Sequence, residues 1–348
     1  MIPKRHENQE APDGADLLNQ VALGARLAEG PEGVRRILRT VFLSGNIPIR
    51  NLSQVTELPV PVVAAVRGEL EKRRILTRKG GVALTEEGLL LVQALGLSCR
   101  QRFARPMYPP TPAALDGVRE QIAMLGEKRP RVDVKLDQSH ATPETVLKRA
   151  VYLYEHDAIE GRDVLFLGDD DLTSLSVGLF AAHCGIQVRL TVLEFDHRLV
   201  DYLQVAAEQA RLPLRVLAHD LREEIPGDFI GRFDTFFTDP PYTLSGLNLF
   251  VSRGAQALRP MVGKQGFVCF GRRSPSETAG AIGALVEMGF APVEILPTFN
   301  QYVGAQVLGG VSQMVRLVAA GVLTPSVNGT YLGPLYTADN KRKKSHDG

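Results

Sequence analysis

The chain has 348 residues, and its 40 lysines and arginines nearly balance 39 aspartates and glutamates. This length predicts two or three domains, and the balanced charge argues against a protein that binds nucleic acid over its whole surface. The three cysteines form no CxxC pair, which argues against a structural zinc site and a disulfide framework, and no apolar run approaches the ~18 residues needed to span a bilayer. The first residues lack the apolar core of a signal peptide, so we expect a cytoplasmic protein with no membrane partner.

The first predicted elements are three helices and a hairpin. The spacing of apolar residues predicts helices over residues 31–43, 52–57 and 60–74, and two short strands, 75–77 and 82–84, flank a glycine turn. Together they predict a winged helix within an N-terminal domain of residues 1–99. The third helix and the wing carry a group of basic side chains: Arg67, Lys72, Arg73, Arg74, Arg78 and Lys79.

These basic side chains allow two interpretations. A winged helix commonly binds DNA through its third helix and wing. It also serves as a dimerisation module or as a lid over a substrate, with its basic residues in solvent. We favour the second interpretation, because a fold alone does not carry function and no second DNA-binding feature follows in the chain. Nucleic acid is therefore not an expected partner.

The chain beyond the winged helix divides into three predicted parts. Residues 100–135 are expected to form a linker, because the stretch 105–112 is rich in proline and cannot begin a helix. A catalytic domain follows over residues 136–325, and residues 326–348 form a C-terminal tail whose basic run, 341–344, is typical of a solvated end. Near the start of the catalytic domain, Thr142 as N-cap and Pro143 at the first helical position predict a helix to about His156.

Short apolar runs and helical patterns alternate from residue 164 onwards. Strands are predicted over residues 164–167, 188–193, 214–217, 233–238 and 266–270, and helices over 172–184, 199–210, 246–258 and 277–288. Two further apolar runs, 295–303 and 311–318, are expected to close the sheet as an antiparallel pair. This alternation predicts an α/β fold, a Rossmann-like doubly wound sheet wrapped by helices.

The turn after the first strand of this sheet has an unusual charge. In a dinucleotide-binding fold this turn is rich in glycine and holds a pyrophosphate. Here Gly168 is followed by Asp169, Asp170 and Asp171, and three carboxylates would repel a phosphate. One aspartate at a helix start is explained by capping, but three favour a functional role. The sequence therefore predicts a cationic ligand at this turn.

Acidic residues also follow the next two strands of the predicted sheet. Ligands of doubly wound folds bind beyond the carboxyl ends of the strands, where these residues meet. Glu194 follows the second strand and is placed to accept hydrogen bonds from both hydroxyls of an adenosine ribose. Asp220 follows the third strand and is placed to receive an adenine amino group. Either residue alone is consistent with an ordinary loop acid, so the prediction rests on the joint pattern.

A second motif, Asp239-Pro240-Pro241-Tyr242-Thr243, follows the fourth strand. Because two prolines fix φ and remove backbone donors, the loop is expected to be rigid, and the Asp239 carboxylate can point at N–H groups of a ligand. Tyr242 supplies an aromatic face that can hold a cation. A structural turn would also use Pro-Pro, but it would not need Asp and Tyr beside it.

These motifs resemble two families of enzymes. Asp-Pro-Pro-Tyr after the fourth strand resembles the amino methyltransferases that use S-adenosylmethionine, but the Gly-Asp-Asp-Asp turn departs from their glycine-rich motif. Gly168 to Asp171 and Asp239 to Thr243, with a preceding Asp137-Gln138 and a leading winged helix, resemble the branched-chain polyamine synthases of thermophilic bacteria and archaea. The resemblance covers nearly the whole chain and implies a sheet of the class I methyltransferase type.

The second resemblance implies an aminopropyltransferase. Its donor is decarboxylated S-adenosylmethionine, a co-substrate rather than a tightly bound cofactor, and its acceptor is the secondary amine of spermidine. Two transfers give N4-aminopropylspermidine and N4-bis(aminopropyl)spermidine, each with release of 5′-methylthioadenosine. Both substrates are cations that would collect in an acidic cleft. No metal is implied, and a homodimer is expected from the resemblance.

The resemblance also implies roles for individual residues. Gly168, Asp169, Glu194 and Asp220 are expected to bind the donor, and Asp137, Gln138, Pro240, Pro241 and Tyr242 the acceptor. A nitrogen lone pair must attack the carbon next to sulfur, so one carboxylate has to take a proton from the central amine. We expect Asp170 or Asp171 in that role, with Asp239 and Tyr242 positioning the amine.

Two other functions remain open on the sequence alone. One is an amino methyltransferase that uses S-adenosylmethionine and is recruited to nucleic acid by the basic winged helix. The other is a regulator without enzymatic activity that senses polyamines through the acidic site and binds DNA through the wing. Turnover with one donor or the other, or tight and salt-sensitive DNA binding without turnover, would distinguish the three.

Overall fold

The computed structural model describes residues 14–78, 80–103, 112–271, 273–303, 310–337 and 339. Two compact units are present, residues 1–95 and residues 96–348. Lys79 of the predicted wing, the proline-rich stretch up to Thr111 and the basic run 341–344 lie outside the described residues.

The first unit contains the three predicted helices and the predicted hairpin. Its elements are α1 (Gly14–Ala25), α2 (Gly30–Ser44), α3 (Ile49–Thr56), α4 (Val60–Lys72), β1 (Leu76–Thr77), β2 (Ala83–Leu84) and α5 (Glu86–Ala94). Strands β1 and β2 pair antiparallel. Helices α1 and α5 are additional to the prediction, and both bury apolar residues, including Val21 in α1 and Val92 in α5.

Most of the basic side chains on α4 and the hairpin form ion pairs with acids of the same unit. Glu69 pairs with Lys72 at 2.6 Å and with Arg73 at 2.7 Å. Glu71 pairs with Arg67 at 3.3 Å and with Arg78 at 2.7 Å. These pairs join residues three, four or seven positions apart, so the positive charge of this surface is locally balanced.

The second unit begins with a helix inside the segment predicted to be a linker. Helix α6 (Asp116–Lys128) follows a short 3₁₀ turn, and Leu115, Val118 and Ile122 are buried in the core of the unit. The proline-rich composition of the preceding stretch says nothing about these apolar positions, which have helical spacing. Helix α7 (Pro143–Glu155) follows, and the Thr142 hydroxyl accepts a hydrogen bond from the Thr145 N–H, which confirms the predicted cap.

The second unit is built around a seven-stranded sheet. Its strands are β3 (Asp163–Leu167), β4 (Arg189–Glu194), β5 (Leu214–Ala218), β6 (Thr235–Thr238), β7 (Gln265–Phe270), β8 (Phe290–Gln301) and β9 (Val311–Ala319). Helices α8 (Thr173–Cys184), α9 (His197–Gln209), α10 (Leu244–Ala257) and α11 (Pro275–Glu287) alternate with them. Two apolar clusters fill the space between sheet and helices.

The strand order is β5-β4-β3-β6-β7-β9-β8. Five strands are parallel, and β9 inserts antiparallel between β7 and β8. This order confirms the predicted α/β fold, the doubly wound sheet and the antiparallel closing pair. It also puts the switch in strand order between β3 and β6, so the turns after these two strands lie side by side. In the described part of the chain, no helix combines the length and apolar character needed to cross a bilayer.

A network of ion pairs lies at the amino ends of the parallel strands, opposite the predicted site. Asp234, just before β6, lies 2.8 Å from the Lys264 ammonium and 2.6 Å from the Arg259 guanidinium. Asp163, at the start of β3, pairs with Arg259 and Arg189. Burial alone would raise the pKa of Asp234, but the neighbouring cations hold it well below its usual value.

Replacing Asp234 with Asn is expected to lower the free energy of unfolding by about 3–5 kcal/mol at neutral pH, because the buried Lys264 ammonium would then face a neutral amide. A carboxyl whose folded-state pKa is lowered stabilises the fold above its unfolded-state pKa, and that contribution is lost as the pH falls. The loss should therefore shrink in acid, which urea denaturation at several pH values would measure. Asp228→Asn, on an exposed carboxylate, is the control, and an equal loss at every pH would contradict the ion-pair account.

Candidate active site

The Gly168 turn directly follows β3 at the carboxyl edge of the sheet. Gly168 has a φ of +71°, in the left-handed region that favours glycine, and its N–H donates to the Leu193 carbonyl at the end of β4. The chain can therefore reverse between β3 and α8 while staying bonded to the next strand. After this turn, the carboxylates of Asp169, Asp170 and Asp171 point in different directions.

Asp169 caps the first turn of helix α8 from outside the helix, since the N-cap position itself is Leu172. Its carboxylate accepts hydrogen bonds from the N–H and the hydroxyl of Ser174, and burial raises its pKa to about 8. One aspartate of the turn was expected to cap this helix, and the structure assigns that role to Asp169. The donor-binding role predicted for its side chain stays a prediction, and the observed carboxylate points towards α8.

Glu194 links the ends of β3 and β4. One carboxylate oxygen accepts the Asp169 N–H at 2.8 Å, and the other accepts the Asp196 N–H at 2.8 Å. The side chain is buried, and burial raises the pKa of Glu194. The residue therefore lies beside the Gly168 turn, as the sequence predicted for a group that binds a ribose.

Asp220 lies at the end of β5 and is paired with Arg222. The Arg222 guanidinium donates to both oxygens of the Asp220 carboxylate. Burial alone would raise the pKa of Asp220, but Arg222 lowers it. The next residue back, His219, donates its N–H to the Glu194 carbonyl, so Asp220 stays next to the Glu194 position. A ligand amino group at Asp220 would have to share the carboxylate with Arg222.

Arg149 occupies the centre of the carboxylate group and was missed by sequence reasoning. This residue of α7 is completely buried. Its guanidinium donates five hydrogen bonds: to Asp171 (2.7 Å), Thr173 (2.9 Å), Asp239 (2.8 Å), the Tyr302 hydroxyl (3.1 Å) and Asn300 (2.9 Å). All five donors of an arginine are therefore used. Asp171 and Asp239 face one fixed cation, and a second hydrogen bond reaches Asp171 from the Ala141 N–H.

The sequence did contain a signal for Arg149. Residues 145–154 of α7 are buried on every side of the helix. The apolar residues in this stretch leave no continuous polar face, so an arginine within it has to be buried. A buried arginine requires several acceptors, and aspartates at strand ends supply them.

The Asp239 loop is fixed by buried prolines and by two tyrosines. Pro240 and Pro241 are buried, as expected for a rigid loop. The Tyr302 hydroxyl donates to the Asp239 carboxylate at 2.6 Å, and the Tyr242 hydroxyl donates to the Tyr302 oxygen at 2.8 Å. Burial raises the pKa of Asp239 to about 7, although Arg149 acts in the opposite direction. Tyr302 follows β8, in an apolar run that gave no sign of a site residue.

Asp170 differs from its two neighbours in being partly exposed. Within the described part of the chain, its carboxylate accepts one hydrogen bond, from the Ser139 N–H at 3.0 Å. Burial, then repulsion from Asp171, Asp239 and Glu194, raises the pKa of Asp170 well above its usual value. Among the three aspartates, Asp170 is therefore the carboxylate that is not committed to a helix cap or to Arg149.

Asp137 and Gln138 do not bond to the aspartates of the turn. The Asp137 carboxylate accepts the N–H and the hydroxyl of Thr337, and the Gln138 amide donates to Asp196 at 3.1 Å. Asp137 has a φ of +55°, so the chain bends sharply here before Ser139 reaches Asp170. The pair thus anchors the segment that passes over the Gly168 turn, and its contact with an acceptor stays a prediction.

The described acidic side chains at this edge of the sheet do not form a metal site. Within the described residues, no group of three or more His, Cys, Asp or Glu side chains is arranged to hold a metal ion. The carboxylates of the edge instead contact Arg149, hydroxyls and backbone N–H groups. At least five acids outnumber the two arginines beside them, Arg149 and Arg129, so the cluster is suited to bind organic cations that bring their own N–H donors.

Comparison with known proteins agrees with this chemistry. Residues 117–325 match the family model of the branched-chain polyamine synthase A C-terminal domain. A relative from Thermococcus kodakarensis, named N(4)-bis(aminopropyl)spermidine synthase, is 30% identical over 280 residues, covering 78% of this chain and 77% of the relative. A relative of the same name from Thermus thermophilus is 34% identical over 254 residues, covering 70% of this chain and 69% of the relative.

A solved structure is similar over almost the whole chain. The crystal structure of the branched-chain polyamine synthase from Thermus thermophilus, in complex with N4-aminopropylspermidine and 5′-methylthioadenosine, has a TM-score of 0.59 and 26% sequence identity. The match covers 93% of this chain and 98% of that chain.

Proposed function

The chain belongs to the branched-chain polyamine synthase family, and we infer from this membership that it transfers aminopropyl groups from decarboxylated S-adenosylmethionine to the secondary amine of spermidine. The products are N4-aminopropylspermidine, N4-bis(aminopropyl)spermidine and 5′-methylthioadenosine. The observation that carries this inference is the similarity to relatives that bear the activity in their name, one of which binds both kinds of product. Donor and acceptor are substrates, so the reaction needs no tightly bound cofactor.

The acidic edge supports the same reaction on physical grounds. The donor is a sulfonium that also carries an ammonium, and the acceptor is a polycation. The five acids Asp169, Asp170, Asp171, Glu194 and Asp239 outnumber the two arginines beside them, Arg149 and Arg129. Holding two cations in line against their mutual repulsion is the costly part of the reaction, and fixed carboxylates lower that cost.

The secondary amine of spermidine must also lose a proton before it can react. An amine with a pKa near ~10.4 must lose its proton before it attacks, which costs roughly 4 to 5 kcal/mol at pH 7. We propose Asp170 as the acceptor of this proton, because the residue is partly exposed, its carboxylate is bonded neither to a helix end nor to Arg149, and its pKa is raised. Asp171, the alternative from the sequence, is bonded to Arg149 and Ala141, and we propose that it keeps the neighbouring carboxylates in position.

The remaining site residues take roles on either side of the reacting carbon. Gly168 lets the backbone of the turn approach the donor, and Glu194 and Asp220 lie where the ribose and the adenine would bind. Asp239 and Tyr242 position the central nitrogen of spermidine, in a loop made rigid by Pro240 and Pro241. Asp137 and Gln138 support the segment above Asp170.

The first unit has the element order of a winged helix, and we propose that fold for it. Its acids Glu69 and Glu71 pair with four basic side chains of α4 and the hairpin, which favours a dimerisation or lid function over DNA binding. The proposed assembly is a homodimer located in the cytoplasm. The proposed domain limits are residues 1–99 and 136–325, with the segments between and after them supporting the catalytic domain.

Incubation with each donor separately tests the reaction. The protein with spermidine and decarboxylated S-adenosylmethionine is expected to release 5′-methylthioadenosine, and S-adenosylmethionine should give no turnover. Chromatographic detection of methylthioadenosine and S-adenosylhomocysteine distinguishes the two outcomes. Turnover with S-adenosylmethionine alone would instead show an amino methyltransferase.

A further inference from the structure

Tyr302 connects Arg149 and Asp239 to the hydroxyl of Tyr242. Arg149 donates to the Tyr302 oxygen at 3.1 Å, and Tyr302 donates to Asp239 at 2.6 Å. The Tyr242 hydroxyl lies 2.8 Å from the Tyr302 oxygen. Tyr302 itself is buried, whereas Tyr242 is partly exposed at the carboxyl edge of the sheet.

The direction of these hydrogen bonds follows from the donors present. A guanidinium can only donate, and an ionised carboxylate can only accept. Tyr302 has one hydroxyl hydrogen, which it donates to Asp239 when that carboxylate is ionised, and the Ser312 hydroxyl also lies 2.9 Å from the Tyr302 oxygen. The Tyr242 hydroxyl donates its own hydrogen to Tyr302, so the Tyr242 oxygen retains only its lone pairs for a ligand. Tyr242 is thus held as an acceptor of hydrogen bonds from the substrate side.

The two transfers of the proposed function differ in whether the attacking nitrogen carries an N–H that can donate a hydrogen bond to Tyr242. In the first, the neutral secondary amine attacks with its lone pair, the carbon–sulfur bond breaks with its electrons to sulfur, and the nitrogen keeps one N–H while it becomes positive. A hydrogen bond from this N–H to Tyr242 becomes stronger as the charge develops. In the second, a tertiary amine attacks to give a quaternary ammonium, and the nitrogen has no N–H.

We propose that Tyr302 is a positioning residue that holds Tyr242 as an obligate hydrogen-bond acceptor, and that this arrangement accelerates the first aminopropyl transfer but not the second. The proposal rests on the proposed function and goes beyond it, because it assigns control over the ratio of the two products. The Tyr242 oxygen stabilises the charge of the first transfer through the N–H of the attacking nitrogen. In the second transfer only the ring face and the carboxylates remain to stabilise the quaternary nitrogen.

Tyr302→Phe tests this proposal, because it keeps the ring and removes the hydroxyl that orients Tyr242. With decarboxylated S-adenosylmethionine as donor, kcat/KM for spermidine is expected to fall ~10-fold or more, as expected for loss of a hydrogen bond to a charged group. The value for N4-aminopropylspermidine should change less than about threefold. Tyr152→Phe is the matched control, because it removes another tyrosine hydroxyl, bonded at 2.6 Å to Glu294, away from the carboxylate group. The control should leave the ratio of the two values unchanged.

Equal losses for both acceptors would overturn the proposal, because they would show a purely structural role of Tyr302. An unchanged value for spermidine would overturn it as well. If Tyr302→Phe does not fold, Tyr242→Phe decides the question, since it removes the acceptor oxygen from a partly exposed side chain and should show the same selective loss. Wild-type turnover of both acceptors is measured first, and its absence would contradict the proposed function rather than the role of Tyr302.

Discussion

Replacing Asp170 with Asn is expected to lower kcat with spermidine by ~10²-fold or more, the size typical of general base catalysis. The amide keeps the shape of the side chain and can still accept the Ser139 N–H, but it cannot take a proton from the attacking amine. Steady-state release of 5′-methylthioadenosine measures the effect, and circular dichroism checks that the variant is folded. Asp201→Asn, on an exposed aspartate of α9, serves as the control and should retain full activity.

The pH dependence of the wild type gives a second test of Asp170. A base acts only when it is deprotonated, and the pKa of Asp170 lies above that of an ordinary carboxyl. The pH profile of kcat/KM should therefore show a carboxyl ionisation at a pH well above ~4, and this ionisation should be absent in Asp170→Asn, which keeps only the dependence set by the acceptor amine. A larger loss in a folded Asp171→Asn variant, with Asp170→Asn nearly as active as the wild type, would assign the proton to Asp171 instead.

Replacing Arg149 with Met is expected to cost about 3–5 kcal/mol of unfolding free energy at neutral pH, because it leaves the buried Asp171 and the largely buried Asp239 without their shared cation. Without Arg149, repulsion from Asp171 raises the pKa of Asp239 further in the folded variant. A raised folded-state pKa means that stability is lost as the pH rises, and the cost should be smaller in acid. Urea denaturation between acidic and neutral pH measures both effects.

Arg119→Met is the control for Arg149, because Arg119 pairs with Asp116 at the surface of the same unit and its loss should change the free energy of unfolding only slightly. The double variant Arg149→Met with Asp239→Asn should recover part of the lost stability, since it removes one of the two repelling charges. A cost for Arg149→Met as small as that of the control would contradict the central position assigned to this arginine.

Much of the fold follows from local patterns in the sequence. The strands from β3 to β7 are short apolar runs, and β3, β4, β6 and β7 are each followed by a helix whose start is marked by a turn or a cap such as Thr243. Because the handedness of such units is fixed, the alternation also places the acids after β3, β4, β5 and β6 at one edge. The prediction that Glu194, Asp239 and the Gly168 turn meet therefore needed no knowledge of long-range contacts.

Other features depend on contacts that the sequence pattern does not reveal. Arg149 and Tyr302 are 153 positions apart and meet only because the pair β8 and β9 closes the sheet beside α7. The three aspartates are adjacent in the sequence, so the sequence does not distinguish their roles. Only the backbone turn at Gly168 makes Asp169 bond to α8, leaves Asp170 partly exposed and directs Asp171 to Arg149. Helix α6 was not predicted, because the proline-rich stretch before it indicated a linker, although the apolar residues of α6 have helical spacing.

The most direct test of the account is the identity of the product formed from spermidine and decarboxylated S-adenosylmethionine. Tandem mass spectrometry of the wild-type reaction distinguishes an aminopropyl group on the central nitrogen from one on a terminal nitrogen. The account predicts N4-aminopropylspermidine first and N4-bis(aminopropyl)spermidine later, each with an equal amount of 5′-methylthioadenosine. A linear tetraamine as the main product would contradict it, because the acidic edge and Tyr242 would then select a terminal amine.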